Sequence, residues 1–193
     1  MLFPSACAGC GAAGSVLCPA CVAACRAPVR LRTGSLDVTA AGRYEGPLRS
    51  AILAYKRGRR DAGEILADLL GECVRERLGA QTVLVPVPTA AARRRERGFD
   101  QGVRLAQRLA AGAGCPLVLA LRRRDGGAQR GRSRAGRLRA CGHFACVAPR
   151  LVEGTEILLV DDVVTTGATL LDCADTLRAC GARVRGAVVL AYA

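Results

Sequence analysis

Apolar residues fall along this chain in two rhythms, and the alternation between them predicts an α/β fold. Uninterrupted apolar runs occur at residues 157–160 (ILLV) and within 82–88 (TVLVPVP), the pattern of strands buried on both faces of a parallel sheet. A helical rhythm appears between them. Residues 44–60 open with a turn and place Leu48, Ile52, Leu53 and Tyr55 on one face, leaving Lys56, Arg57, Arg59 and Arg60 as an exposed basic end. Residues 61–78 repeat the pattern with Ile65, Leu66, Leu69, Leu70, Cys73, Val74 and Leu78 directed inward, and a further helix is expected around 103–110. Short strands are expected near 117–121 and 144–147, and the segment LDVTAAGRY suggests part of a hairpin. A chain of 193 residues fits one α/β domain with a small appendage. No apolar run approaches the roughly 18 residues needed to span a membrane. The first ten residues lack a basic stretch followed by an apolar one, so a cytoplasmic location without membrane insertion is expected.

The run at 157–160 leads directly into candidate chemistry. Asp161 and Asp162 follow it, which would set two carboxylates at the carboxyl end of a strand. Open α/β sheets bind ligands at that edge. Neighbouring carboxylates there can accept hydrogen bonds from ribose hydroxyls or help hold hydrated Mg²⁺. Beyond Val163 and Val164, the residues Thr165, Thr166, Gly167, Ala168 and Thr169 bring three hydroxyls, a permissive glycine and backbone N–H groups entering a helix. A helix start with unpaired N–H groups favours phosphate. Either half alone would be an acidic turn or an ordinary helix start; the order of the two points to a sugar phosphate.

The sequence contains 11 cysteines. Cys7, Cys10, Cys18 and Cys21 form C-x₂-C-x₇-C-x₂-C, with Gly9 and Gly11 loosening the first knuckle and Pro19 shaping the second. Two such pairs can close a tetrahedral thiolate site for structural Zn²⁺; the alternative is a set of free thiols. Four ligands fill such a site, so Cys25 is expected to pack or to be spare.

The formal net charge of +13 favours polyanionic partners, whether pyrophosphate, nucleotide or nucleic acid. Lys56 is the only lysine, so the excess is almost all arginine. Arg93, Arg94, Arg95 and Arg97, with Gly98 permitting a close turn, could stabilise a pyrophosphate leaving group or form a solvated run. A longer basic stretch, from Arg122, Arg123 and Arg124 through Arg130, Arg132, Arg134, Arg137 and Arg139, reads as a lid over an activated ribose. A groove for single-stranded DNA would use the same charge but normally adds stacking aromatics, absent here before Phe144. His143, the only histidine, is expected at a strand edge rather than as a base or ligand.

The stretch ILLVDDVVTTGAT resembles the phosphoribosyl-diphosphate-binding motif of type I phosphoribosyltransferases. The resemblance implies that Asp161 and Asp162 contact the ribose hydroxyls and that Thr165, Thr166, Gly167, Ala168 and Thr169 bind the 5′-phosphate. Taken with the cysteine quartet, YEGPLRSAILAYKRGRR, VPVP followed by RRRERGFDQ, and Gln129, Arg137 and Phe144, almost the whole chain is similar to the ComF/GntX family. That similarity implies an amino-terminal zinc ribbon (1–35) joined to a phosphoribosyltransferase-like domain (36–193), with a parallel sheet flanked by helices. It also implies phosphoribosyl diphosphate and Mg²⁺ as ligands, and a link to DNA uptake in natural transformation. Single-stranded DNA and a competence helicase or other uptake protein would then be partners. Two positions depart from the family pattern: Asp100 and Ala140 stand where asparagine is usual.

Overall fold

The computed structural model describes residues 6–91, 95, 98–124 and 142–193. A five-stranded sheet forms the centre, in the order β1-β2-β7-β6-β3. β1 (Val29–Thr33) and β2 (Leu36–Arg43) are an antiparallel hairpin, whereas β2, β7 (Arg183–Tyr192), β6 (Glu156–Val164) and β3 (Thr82–Pro86) are mutually parallel. The parallel strands are apolar because helices cover both sheet faces. On one face lie α2 (Gly46–Lys56), α3 (Arg60–Val74) and α4 (Gln101–Ala113), packed over Leu84, Leu158, Val160, Val188 and Leu190. On the other, α6 (Ala168–Arg178) packs Leu170, Cys173 and Leu177 against Ile157, Leu159 and Val189. Burying a leucine of the β6 kind contributes about 1.5–3 kcal/mol, so alternate residues of one strand anchor two separate layers.

Local sequence explains the helix boundaries. The helical rhythm across 44–60 breaks at Gly58 (φ +102°), where α2 has ended and before α3 begins at Arg60. α4 is longer than the expected 103–110. Its cap is Asp100, whose Oδ1 accepts from the Val103 N–H at 3.2 Å, and it ends at left-handed Gly114. Asp100 therefore serves the capping role that asparagine would also serve.

Several expectations change in detail. β6 does not stop before the carboxylates: Asp161 pairs with Val189 and the ladder continues to Val164–Tyr192. Strand pairing uses backbone groups, so two acidic side chains can be carried inside the ladder when their heads reach a cleft. The strand expected near 117–121 makes a single bridge, Leu84 to Leu117, and the chain then turns so that β4 (Leu121–Arg123) pairs with β5 (Phe144–Cys146). A short helix, α5 (Pro149–Val152), precedes β6.

The amino-terminal cysteines lie against this core. α1 (Pro19–Cys25) carries Cys21 and Cys25, which share one apolar cluster with Cys7, Leu17, Leu48, Ala51 and Ile52. β1, which precedes residue 36, is the edge strand of the main sheet. Among the described residues, no helix is long and apolar enough to cross a membrane.

Candidate functional site

β6 delivers Asp161 and Asp162 to a cleft of about 170 Å³ lined also by Lys56, Thr89, Gly102, Arg123 and Thr169. Three elements converge to build it. The end of β3 supplies the 87–90 loop, and α4 starts so close to that loop that a Cβ on Gly102 would stand 2.9 Å from the Val87 carbonyl oxygen. The Thr89 hydroxyl donates to Asp100 Oδ1 at 3.3 Å, joining the loop to the α4 cap. The end of α2 contributes Lys56, whose Nζ lies 2.9 Å from Asp162 Oδ2, with both side chains about four-fifths buried (21% and 18% exposed).

Asp161 sits in a different electrostatic setting. Burial, and then the neighbouring Asp162 carboxylate, push its pKa up to about 8, against the Asp162 N–H that donates to its Oδ1 at 2.8 Å and the charge of Lys56. Two adjacent carboxylates with one ammonium, paired to Asp162, leave a site that favours an incoming cation or hydroxyl donors. The hard oxygens of Asp161 and Asp162 fit Mg²⁺, which typically takes one or two carboxylates and completes its shell with water and substrate phosphate.

Immediately after β6, Thr165 and Thr166 are exposed, Gly167 is buried in the left-handed region (φ +75°), and Ala168 opens α6. The N-cap Gly167 has no side chain to offer, and only a long contact, Ala168 N–H to Thr166 Oγ1 at 3.4 Å, reaches the first turn of this helix. Only glycine fits at the turn. A Cβ on Gly167 would overlap the Thr33 side chain at the end of β1. Thr169, one residue into α6, lines the same cleft as the two aspartates.

The basic elements are placed less completely. Gly98 adopts φ +73° just before the Asp100 cap, and Arg95 is exposed. Arg93, Arg94 and Arg97 lie outside the described residues, as do Gln129, Arg130, Arg132, Arg134, Arg137, Arg139 and Ala140. Arg123 lines the cleft and stacks on Phe144 with its guanidinium carbon 5.4 Å from the ring centroid. His143 does have a partner: its backbone N–H donates to Asp172 Oδ2 at 2.7 Å and its Nδ1 lies 3.2 Å from the same oxygen.

Sequence reasoning treats Lys56 as one exposed cation of a basic helix end, and the structure turns it inward to Asp162. Its being the only lysine is the signal that could have singled it out. Thr89 and Gly102 carried no such mark.

The cysteine quartet forms a second centre. The four Sγ atoms of Cys7, Cys10, Cys18 and Cys21 lie within 4.8 Å of one another. Cys10 and Cys18 are 3.7 Å apart, against about 3.8 Å for the edge of a tetrahedron with 2.3 Å metal–sulfur bonds. Backbone N–H groups of Cys18 and Gly9 point at Cys7 Sγ at 3.2 and 3.4 Å. These bonds, the Cys18 one foremost, lower the Cys7 pKa to about 6, while burial raises that of Cys21. A Cβ on Gly9 would come 2.7 Å from Cys21 Sγ, so glycine is needed for the quartet to close. The donors fit a tetrahedral thiophilic metal, for which they supply a closed shell.

Residues 59–193 match the family described as phosphoribosyl transferase domain. The chain belongs to this family. Its fold agrees with that of the phosphoribosyltransferases: adenine phosphoribosyltransferase from Saccharomyces cerevisiae, determined with an imino-altritol bisphosphate and adenine, covers 91% of the chain at 12% identity and a TM-score of 0.51, over 90% of its own length. A second adenine phosphoribosyltransferase structure covers 90% of the chain and 89% of its own at 13% identity (TM-score 0.46). The enzyme from Leishmania tarentolae covers 76% of each chain at 15% identity (TM-score 0.42). No curated protein matches the chain. In this phosphoribosyltransferase-domain protein the family match begins at residue 59 and so leaves out the cysteine quartet, the β1–β2 hairpin and Lys56.

Proposed function

We propose that this chain binds phosphoribosyl diphosphate with Mg²⁺ in the cleft at the end of β6. The observation that carries this reading is the placement of Asp161, Asp162 and Thr169 around one cleft, with the glycine-led start of α6 between them in sequence. Asp161 and Asp162 accept the two ribose hydroxyls. The hydroxyls of Thr165, Thr166 and Thr169 and the N–H groups at Gly167 and Ala168 take the 5′-phosphate. Gly98 and Arg97, the latter outside the described residues, are assigned to the diphosphate. Mg²⁺, when bound, neutralises part of the diphosphate charge. Lys56 leaves Asp162 as the ligand enters and turns its ammonium toward phosphate, so ligand replaces an internal ion pair.

Affinity should then depend on pH. Asp161 must be ionised to hold a cation or to accept charge-assisted hydrogen bonds from hydroxyls, and its pKa is raised to about 8. Calorimetry with phosphoribosyl diphosphate and Mg²⁺ is expected to show affinity rising from pH 6.5 to 8.5, by up to about tenfold per unit on the acid side, then levelling. No saturable binding, or affinity falling with pH over that range, would reject the assignment.

The wider role we propose is that of a ComF-like, cytoplasmic protein acting in DNA uptake, with a zinc ribbon over residues 1–35, single-stranded DNA as a ligand and an uptake protein such as a competence helicase as a partner. The net charge of +13 and the quartet outside the family match support this reading. Single-stranded DNA should bind tightly at low salt, with affinity falling steeply as salt rises; absent binding or a flat response would remove it. Release of pyrophosphate with a purine or pyrimidine base would instead establish the alternative, an active phosphoribosyltransferase in nucleotide salvage.

A further inference from the structure

On the α3 face of the sheet, four arginines line a concavity of about 740 Å³: Arg30 and Arg32 from β1, Arg77 from the 3₁₀ turn after α3, and Arg185 from β7. It shares no lining residue with the ribose-phosphate cleft. Arg185 stands four residues upstream of Val189, the partner of Asp161, or roughly 13 Å along the strand.

Arg77 is the centre of this cluster and is held in place by neutral groups. Its Nη1 donates to Thr39 Oγ1 at 2.9 Å and to the Ala187 carbonyl at 3.4 Å, and its Nη2 donates to the Arg185 carbonyl at 3.3 Å. Three of the five N–H donors of the guanidinium are thereby used. Among the described residues, no carboxylate comes within 4 Å of Arg77, Arg30 or Arg32. Burial lowers the Arg77 pKa; the charge of Asp37 opposes this, and Arg185 and Arg30 add repulsion. Arg185 is paired with Glu156 at 3.0 Å, and Asp37 and Glu76 also line the concavity, which leaves three of the four arginines without an ion pair among the described residues.

The backbone is shaped around this guanidinium. The β6–β7 register slips between Ile157–Val184 and Leu158–Gly186, which leaves Arg185 as the extra residue of a β-bulge. Gly186 adopts φ +144°; a Cβ there would overlap the Asp37 carbonyl oxygen and stand 2.6 Å from Arg77 Nη2. Bulge, glycine and buried Thr39 fix a half-buried cation beside three exposed ones.

We propose that this concavity is a second anion site that takes the phosphate chain of a compact polyphosphate, free or carried by a nucleoside. Guanidinium forks meet phosphate oxygens in pairs and at fixed geometry. The volume lies within the roughly 300–1,000 Å³ of small-ligand sites. Among the described residues no aromatic lines it, which leaves it without the stacking platform that a nucleic acid strand would use. Binding relieves repulsion among the arginines and supplies the negative charge that the protein does not place beside Arg77.

The test is calorimetric titration of the full chain, zinc-loaded, with inorganic tripolyphosphate and separately with ATP, without Mg²⁺. Saturable binding below about 1 mM is expected. The double substitution Arg30→Ala/Arg32→Ala, confined to exposed positions of an edge strand, should weaken it at least about tenfold while leaving phosphoribosyl diphosphate affinity with Mg²⁺ unchanged. Asp161→Asn/Asp162→Asn should leave it intact, which separates failure of this site from failure of the ribose-phosphate site. ATP binding more tightly than tripolyphosphate assigns a nucleotide, and the reverse order a free polyphosphate. Unaltered tripolyphosphate affinity in the arginine variant overturns the proposal. So does binding of an oligonucleotide, but of neither small polyanion, in an Arg30/Arg32-dependent manner. Arg77→Gln provides a second reading wherever its thermal unfolding remains cooperative.

Discussion

Asp161→Asn/Asp162→Asn is expected to lower affinity for phosphoribosyl diphosphate with Mg²⁺ by about 100-fold or more, the loss of two charge-assisted contacts of about 1.5–3 kcal/mol each. Asparagine preserves shape. Its Oδ1 can still accept the Asp162 N–H that now donates to Asp161, so the loss would report charge rather than collapse. Stability should move the other way in the single variant Asp161→Asn. The folded-state pKa of Asp161 is about 8, above the ordinary 3.8, so between those values the folded state retains a proton that the unfolded state has lost. Stability attached to this group is complete below about pH 4 and is lost as pH rises through 8. Asparagine removes that loss. We expect the variant to unfold at higher temperature at pH 8, by about 1–3 kcal/mol after discounting for solvent that reaches the carboxyl, and to match the parent near pH 4. Scanning fluorimetry across pH reads this directly; a variant less stable than the parent at pH 8 contradicts the buried-charge account. Asp162→Asn alone gains no such benefit because it gives up the ion pair to Lys56.

Stripping metal from the cysteine quartet is expected to destabilise far more than the knuckle itself. Structural zinc contributes about 10–16 kcal/mol in small zinc-finger peptides near neutral pH, and part of that free energy orders the ligand loops. Here Cys7, Cys21 and Leu17 also pack into the cluster that holds Leu48 and Ile52 of α2, and α2 carries Lys56 into the cleft. Chelation, or Cys21→Ser, should therefore lower the unfolding temperature by about 5 °C or more, corresponding to roughly 2–4 kcal/mol for a chain of this size, and weaken ligand binding as a secondary effect. One equivalent of zinc released by thiol modification would accompany it. Purified protein without zinc, whose unfolding is indifferent to chelator, would show that the quartet is a cluster of thiols only.

The candidate stretch 157–169 is legible in the sequence because its chemistry is contiguous. Asp161, Asp162 and the 165–169 turn follow one strand, and an apolar run before a polar turn is readable without knowing the fold. The same holds for the two C-x₂-C pairs. Lys56 was not legible, since its partner Asp162 is distant in sequence and meets it only because α2 and β6 end at the same edge. His143 and Asp172 escape for the same reason. Arg77 is harder still: its partners include backbone carbonyls on β7, and a bulge sets their direction. Asp100 illustrates the opposite case, a residue that departs from the family pattern and whose oxygen caps α4. The extent of β6 was misjudged because acidic residues read as the end of a buried strand, while backbone pairing continues underneath them.

Residues before 59 lie outside the family match, yet β2 is hydrogen-bonded along β7 from Val38–Ala187 to Arg43–Tyr192. A truncated chain starting at the match would leave β7 as an outer strand, with Ala187, Val188, Val189, Leu190 and Ala191 in a row and their edge N–H and C=O groups unsatisfied. Such an edge is a template for self-association. In this protein the hairpin acts as a guard against aggregation, and any minimal version made for biochemical work has to retain it.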